Sequence, residues 1–241
     1  MPKRRPAKKR SPAAAVLLAV LCLLLLAVSR YLASRSESAA SVLAPEAAQA
    51  DASGLEVHFL DIGQGDSALL FCGDETLLID GGKVKNNQKL IARLKELEVD
   101  HLDAVICSHP DEDHCGGLSA VLARTRTDAF YCSVDSWHTK VFSDVTKYVA
   151  EQGISVTIPQ AGDTFAFSDA SVEFLGPVVD YGDDPNEGSL VARVRYGETS
   201  FLFTGDMGFE AEDDMLAAGV DVSATVLKVA HHGSAGRRSA A

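Results

Sequence analysis

Four metal-ligating side chains follow one predicted strand, and this cluster constrains the fold more than any other feature of the sequence. The apolar segment at residues 102–107 is typical of a buried strand, and it runs directly into Ser-His-Pro-Asp-Glu-Asp-His-Cys-Gly-Gly. The candidate ligands in that run are His109, Asp111, Asp113 and His114. Neutral imidazole and short carboxylates suit zinc, manganese or iron. A solvated acidic loop is the alternative, but four such residues at one strand end favour a metal site.

Two further strand ends carry ligand-type residues. Asp206 follows an apolar strand at residues 201–203 and a glycine, so its carboxylate can reach inward. Without the first cluster it would be interpreted as a turn residue. His231 and His232 end the apolar segment at residues 224–230. Adjacent strand residues point to opposite sides, so at most one of these histidines is expected to bind metal, and the sequence leaves open which.

Predicted strands outnumber predicted helices. Apolar residues at helical spacing predict helices at residues 88–97, 117–123, 141–151 and 209–217. The predicted strands lie at residues 55–61, 67–71, 76–79, 102–107, 128–133, 154–158, 164–167, 171–175, 190–196, 200–204 and 224–230. Helices fall between groups of strands, which favours an α/β sandwich over a simple alternating parallel sheet.

In their order along the chain, these motifs resemble the metallo-β-lactamase superfamily. The His-x-Asp-x-Asp-His run is similar to its signature, in the variant where Asp111 replaces the usual second histidine. Further segments are similar to the extracytoplasmic domain of ComEC competence proteins, namely VHFLDIGQGDS (57–67), LLIDGG (77–82), NEGSLV (186–191), FTGD (203–206) and LKVAHHGS (227–234). The resemblance covers residues 55–234 and implies a four-layer αββα sandwich over residues 54–241. Relatives continue through another strand and helix, so it also implies that the C-terminal elements of the domain are missing.

The resemblance implies two divalent metal ions, zinc or manganese. It assigns His109, Asp111 and one of His231 and His232 to the first ion. It assigns Asp113 and His114 to the second ion, and Asp206 as the ligand that bridges both. Such a pair generates hydroxide at neutral pH and stabilises an in-line displacement. Asp113 is also the candidate catalytic residue, as acceptor of a proton from the bridging water. A carboxylate at position 111 makes its site harder, which favours manganese.

Six polar residues are candidate substrate-binding groups. Those that could contact a scissile phosphate are Asn186, Ser189 and Lys228. A turn asparagine, a strand-start serine and a surface lysine would look the same in sequence. Those that could line the same opening from a glycine-flanked loop are Asp61, Gln64 and Asp66. The two aspartates are equally typical of plain turns.

The first residues are typical of an export signal. Six of the first ten are Lys or Arg, and an unbroken apolar run follows at residues 13–28. Residues 1–33 are therefore predicted to be a signal peptide or an uncleaved signal anchor, and residues 34–53 a flexible spacer. The chain would be exported, and either membrane-anchored facing outside the cytoplasm or secreted after cleavage. The four later cysteines are interpreted as small buried hydrophobes, with Cys115 the one to test as a stray ligand.

Charge is uneven along the chain. The formal net charge is -12, and the first 50 residues hold eight basic and two acidic residues, or +6, which leaves -18 on residues 51–241. Such an acidic body is a poor general binder of polyanions. Two bound divalent ions would offset +4 of it locally.

Together these features predict an exported metal-dependent hydrolase. The leading hypothesis is a phosphodiesterase acting on DNA, as the resemblance to ComEC-like domains implies. A hydrolase of a smaller ester (cell-wall phosphorylcholine, a lactone or a β-lactam) stays open, although Asp111 and the missing third histidine motif argue against a β-lactamase. The non-enzyme alternative is an inactive binding module tethered to the membrane. Predicted partners are DNA or another phosphodiester and, through the N-terminal segment, the membrane; no protein partner is deduced.

Overall fold

The computed structural model describes residues 54–234. The predicted signal segment at residues 1–33 and the predicted spacer at residues 34–53 lie outside the described residues, as do residues 235–241. In the described part of the chain, no helix has the length and apolar character needed to cross a membrane.

The first sheet is built from residues 55–157. Its six strands, in spatial order as in sequence order, are β1 (Leu55–Phe59), β2 (Ala68–Cys72), β3 (Glu75–Ile79), β4 (His101–Cys107), β5 (Arg126–Cys132) and β6 (Val156–Thr157). The first three pair antiparallel, and β3 to β6 are parallel. Parallel neighbours require crossover connections. The carboxyl ends of β3 and β4 therefore lie at one edge of the sheet, where the predicted metal cluster begins.

The second sheet is built from residues 164–228. Its strands are β7 (Thr164–Phe167), β8 (Ala170–Gly176), β9 (Val191–Tyr196), β10 (Thr199–Phe203) and β11 (Val226–Lys228). The spatial order is β11-β10-β9-β8-β7, and only β10 and β11 are parallel. Asp206 and the closing histidines follow this parallel pair, so their backbones leave the sheet at the same edge.

The described residues form five α-helices, and a 3-10 helix at Val84–Asn86 precedes the first of them. The α-helices are α1 (Asn87–Glu96), α2 (Glu112–Cys115), α3 (Leu118–Leu122), α4 (Lys140–Glu151) and α5 (Phe209–Ala217). Residues of α1, α3 and α4 pack in one core with the first sheet, and Met215 of α5 packs in another with the second sheet. The predicted αββα sandwich is therefore confirmed.

Successive residues of a strand point to opposite faces of its sheet and therefore pack in different cores. In β2, Leu69 packs toward the helices, while Leu70 packs toward the second sheet. In β9, Ala192 faces the first sheet, while Val191 packs with Met215. A strand buried on both faces has no polar alternation, which is why these segments appear as continuous apolar runs in sequence.

Some predicted elements are shorter than expected. The strand predicted at residues 224–230 is only Val226–Lys228, and the one at 154–158 is only Val156–Thr157. The helical turn at Glu112–Cys115 was not predicted, because four residues are too few to show helical periodicity. The four cysteines of the domain, Cys72, Cys107, Cys115 and Cys132, are free and buried, in agreement with their interpretation as small hydrophobes.

Candidate metal centre

The loop after β4 gathers the first two histidines. Asp111 has an extended backbone immediately before α2, and its carbonyl accepts hydrogen bonds from the amides of His114 (3.0 Å) and Cys115 (2.9 Å). This single turn folds the chain back, so that the rings of His109 and His114 lie 4.2 Å apart between centroids. Both side chains are fully buried, whereas the Asp111 side chain is 40% exposed and lies 3.9 Å from His109 Nε2.

Asp206 reaches the same point from the second sheet. Its Oδ1 lies 3.0 Å from His114 Nε2, and its Oδ2 lies 3.3 Å from His232 Nε2. The amide of Asp206 donates to the hydroxyl of Ser189 (3.2 Å), which fixes the residue at the strand end. Each carboxylate oxygen thus faces a different histidine, as a bridging ligand would.

The closing histidines depart from the sequence-based expectation. They do not continue a strand: both lie in a 3-10 turn at Ala230–Gly233, with left-handed φ values of 49° for His231 and 53° for His232. The strand rule that placed them on opposite sides is therefore wrong here. Both rings approach Asp206 Oδ2, with Nε2 of His231 at 4.0 Å and Nε2 of His232 at 3.3 Å.

Unpartnered atoms test whether this cluster suits a cation. Nε2 of His109, Nε2 of His114 and Oδ1 of Asp206 are buried and make no hydrogen bond within the described residues. The 3.0 Å approach between the last two lacks hydrogen-bond geometry. Ligand atoms of Asp66, His114, Asp206 and His232 all lie within 4.8 Å of one another. Buried polar atoms are normally satisfied, so this donor set fits a divalent metal.

Asp80 supports the cluster from beneath and was not predicted as a site residue. It is 2% exposed, and its carboxylate accepts hydrogen bonds from the Ser108 amide (2.7 Å) and hydroxyl (2.8 Å). Its Oδ2 also lies 2.9 Å from Nδ1 of His114. A carboxylate on Nδ1 leaves Nε2 free for a metal. The only signal in the sequence was its place directly after the apolar strand β3.

The pKa values of the two buried histidines are shifted in opposite directions. Burial lowers the pKa of His109 to about 3, so its ring is neutral. Burial acts in the same direction on His114, but Asp80 and Asp206 outweigh it and raise the pKa of His114 to about 10. Although burial opposes it, the charge of His114 holds the pKa of Asp206 well below its usual range. In the metal-free chain the His114 ring therefore carries a second proton and a positive charge at neutral pH, and a metal would displace that proton.

The loop after β1 brings Asp66 to the cluster. Its Oδ1 lies 3.2 Å from His232 Nδ1, and its Oδ2 pairs with the Lys228 ammonium. The two other candidates of this loop are exposed. The Asp61 side chain is 95% exposed and accepts from the Gly63 amide, as in a plain turn. Gln64 is exposed.

Gly65 is the residue that allows this loop to approach. Its φ is +113°, and a Cβ on it would lie 2.3 Å from the Asp113 carbonyl oxygen. We expect Gly65→Ala to destabilise the fold by about 2–3 kcal/mol through strain and this clash. Gly162→Ala is the matched control, since Gly162 has φ +94° but nothing within 4 Å of its Cβ position. Urea denaturation of both variants measures the difference; equal losses would contradict the clash.

The predicted phosphate-contacting residues have different surroundings. Lys228 donates to the Gly205 carbonyl (2.8 Å) and lies 3.8 Å from Asp206, so its ammonium stands beside the cluster. Ser189 is fully buried behind Asp206. Asn186 has a buried side-chain oxygen without a hydrogen bond in the described part of the chain. Lys83 was not predicted as a site residue, yet its ammonium lies 3.9 Å from Asp113 Oδ2. Its signal in the sequence was its place after the Gly pair that follows β3.

Cys115 does not join the ligand set. Its thiol donates to the Pro110 carbonyl (3.1 Å), and burial raises the pKa of the thiol. Its sulfur is not among the converging ligand atoms of the described residues.

A cavity of about 110 Å³ lies between the sheets next to the cluster. Asp66 and Lys228 line its polar side, and Leu190 and Phe203 line its apolar side. Phe59 also lines it and is 53% exposed, with its ring centroid 6.0 Å from that of Phe203. An exposed aromatic ring therefore stands close to the candidate metal centre.

Comparison with known proteins agrees with this geometry. The family model of the metallo-beta-lactamase superfamily matches residues 60–237. ComE operon protein 3 of Bacillus subtilis (strain 168) is 28% identical over 199 residues, covering 75% of this chain and 26% of that protein. Competence protein ComA of Neisseria gonorrhoeae is 30% identical over 176 residues, covering 72% of this chain and 23% of that protein. The chain thus spans about a quarter of the length of these curated relatives.

A solved structure shares the fold. MEM-A1, a subclass B3 metallo-beta-lactamase isolated from a soil metagenome library, aligns with a TM-score of 0.53 at 14% identity, over 73% of this chain and 76% of its own. At that identity the likeness supports the fold alone.

Proposed function

Because the chain belongs to the metallo-beta-lactamase superfamily, whose members are usually metal-dependent hydrolases, we propose that it is an exported metal-dependent phosphodiesterase. The observation that carries the proposal is the convergence of ligand atoms of His114, Asp206 and His232 within 4.8 Å of one another, beside the carboxylate of Asp66. Nε2 of His109 and Nε2 of His114 are buried without a hydrogen bond in the described residues, and the centroids of the two rings lie 4.2 Å apart. The named competence proteins among its relatives make DNA the favoured substrate.

The side chains divide into holding and proton-transfer roles. His109, His114, Asp206 and one closing histidine would hold divalent ions, with Asp111 and Asp113 at the rim. Bound ions would supply hydroxide at neutral pH and offset developing negative charge. Asp113 lies 3.7 Å from His232 Nε2 and is 23% exposed, so it can meet a water and take its proton.

Two lysines place positive charge beside the centre of a domain whose net charge is negative. Lys228 and Lys83 border the carboxylates of the centre, at 3.8 Å from Asp206 and 3.9 Å from Asp113 respectively. A lysine ammonium binds a phosphate as a point charge. With an excess of 18 negative charges on residues 51–241, binding of a polyanion would depend on these lysines and the ions. We expect affinity for DNA to fall steeply as salt is raised.

Phe59 offers a surface for the organic part of a substrate. A half-exposed aromatic ring beside a phosphodiester site suits stacking with a nucleobase. This favours a nucleic acid over a small ester within the proposed activity.

The experiment measures metal content and substrate preference together. The full chain is loaded with Zn²⁺ or Mn²⁺, dialysed, and analysed for ions per chain. It is then assayed with single-stranded DNA, bis-p-nitrophenyl phosphate and a chromogenic β-lactam. We expect bound metal, hydrolysis of both phosphodiesters and no hydrolysis of the β-lactam. The double variant Asp113→Ala, His114→Ala is the control and should be inactive.

Other outcomes point to the alternatives. A chain that retains no metal and cleaves nothing is a binding module. A chain that cleaves the β-lactam but neither phosphodiester belongs to the smaller-ester class. If the double variant still cleaves a phosphodiester, the assignment of the active site to this cluster is wrong.

A further inference from the structure

We propose that Asp66 is a positioning residue that selects His232, rather than His231, as the metal ligand of the closing pair. The inference deepens the proposed function and rests on it. Its basis is a set of contacts between the loop after β1 and the turn after β11, which come from opposite sheets. The sequence had left the choice between the two histidines open.

The backbone first brings Asp66 to the centre. Its amide donates to the Asp113 carbonyl at 3.1 Å, so the loop is tied to the metal-binding turn after β4. Gly65 permits this contact, because any side chain there would overlap the same carbonyl. The carboxylate of Asp66 is thereby held beside the candidate ligands, with its side chain only 22% exposed.

The two oxygens of Asp66 then have separate partners. Oδ2 pairs with Lys228, whose ammonium also donates to the Gly205 carbonyl at 2.8 Å. Oδ1 lies 3.2 Å from Nδ1 of His232. Oδ2 is buried and makes no hydrogen bond within the described residues, so the Lys228 ammonium is its charge partner, while Oδ1 is the oxygen turned to the histidine.

His232 is oriented by this contact as a metal ligand would be. With Nδ1 turned to Asp66, its Nε2 lies 3.3 Å from Asp206 Oδ2 and 3.7 Å from Asp113 Oδ2. A carboxylate that accepts from Nδ1–H fixes the tautomer and leaves the Nε2 lone pair for a metal. His232 therefore points its free nitrogen into the centre.

His231 lacks such support. Its ring makes no hydrogen bond within the described part of the chain, its side chain is 41% exposed, and its Nε2 is 4.0 Å from Asp206. The turn that carries both residues has no buried side chain and two consecutive left-handed residues. Such a backbone needs outside contacts to persist, and Asp66 contributes one through His232 alone.

The first test is the tautomer of His232 in the metal-free full chain, solubilised in detergent. Long-range ¹H–¹⁵N spectra of histidine-labelled protein at alkaline pH report which ring nitrogen carries the proton, and His232→Ala assigns the signal. We expect Nδ1–H in the wild type and mainly Nε2–H in Asp66→Ala. Asp144→Ala is the matched control, since Asp144 also pairs with a lysine (Lys140) but on α4. An unchanged His232 tautomer in Asp66→Ala would overturn the assignment.

The second test is Zn²⁺ affinity by chelator competition. We expect Asp66→Ala to weaken binding about 10–100-fold with the number of ions per chain unchanged, and His231→Ala to have a much smaller effect than His232→Ala. Asp66→Ala should add little to His232→Ala, because Asp66 acts through that ring. If Asp66→Ala does not fold, Asp66→Leu, which has no acceptor, replaces it, and wild-type affinity there counts against the proposal.

The outcomes separate the two proposals. Loss of a whole ion per chain in Asp66→Ala would make Asp66 a ligand instead of a positioning residue. Equal losses of Zn²⁺ affinity in His231→Ala and His232→Ala would show that the protein does not select one of the two histidines as the ligand. A wild type that binds no Zn²⁺ refutes the proposed function, while the tautomer measurement still decides whether Asp66 orients His232.

Discussion

Asp206→Ala is expected to lower kcat/KM for a phosphodiester by about 10³-fold or more, equivalent to about 4 kcal/mol of transition-state stabilisation. The reason is that Asp206 faces both halves of the centre, with one oxygen toward His114 and the other toward His232. Among the described residues, Asp206 is the carboxylate that the second sheet contributes to the cluster. Metal bound per chain should fall as well.

The measurement compares kcat/KM and ions per chain for Asp206→Ala and for Asp213→Ala. Asp213 is an exposed aspartate of α5. Its replacement removes one negative charge without changing a residue of the centre. The control should match the wild type in both quantities. Activity of Asp206→Ala within tenfold of the wild type would show that the cleavage occurs elsewhere.

Phe174→Ala is expected to lower the free energy of unfolding by about 3–5 kcal/mol. Phe174 lies between the two sheets, 1% exposed, with its ring centroid 5.4 Å from that of Tyr131 and 6.1 Å from that of Phe165. Removing its ring leaves a cavity between the two sheets. The sheets cannot close this cavity without disturbing the packing on both of their faces.

Urea denaturation at fixed pH, with metal removed, measures this loss. Phe209→Ala is the matched control, because Phe209 is 45% exposed on α5 and should cost no more than about 0.5 kcal/mol. A loss below about 1 kcal/mol for Phe174→Ala would mean that the contact between the sheets contributes little to stability.

The sequence predicted most of the fold because burial on both faces leaves a strong local pattern. The strand at Thr164–Phe167 and the helix at Phe209–Ala217 have the predicted bounds. The failures are short elements such as Val226–Lys228, where two or three residues carry too little periodicity. There, pairing with a neighbouring strand decides the structure, and the neighbour is distant in sequence.

For the site, local motifs predicted the candidate ligands, whereas contacts between distant segments were out of reach. His109 and His114 are close in sequence and were found together. The support of His114 by Asp80, 34 residues earlier, and the pairing of Asp66 with His232, 166 residues apart, depend on the tertiary fold. The turn at His231 and His232 was mispredicted because a left-handed conformation of two non-glycine residues has little propensity signal.

The two sheets are each made from one continuous half of the described chain, and the centre takes side chains from both. His109, His114 and Asp66 belong to the first half, and Asp206 and His232 to the second. The first half contains neither Asp206 nor His232, so the complete centre would form only after the halves have docked. The metal affinity of the complete centre would thus report whether the two halves of the domain are folded and docked.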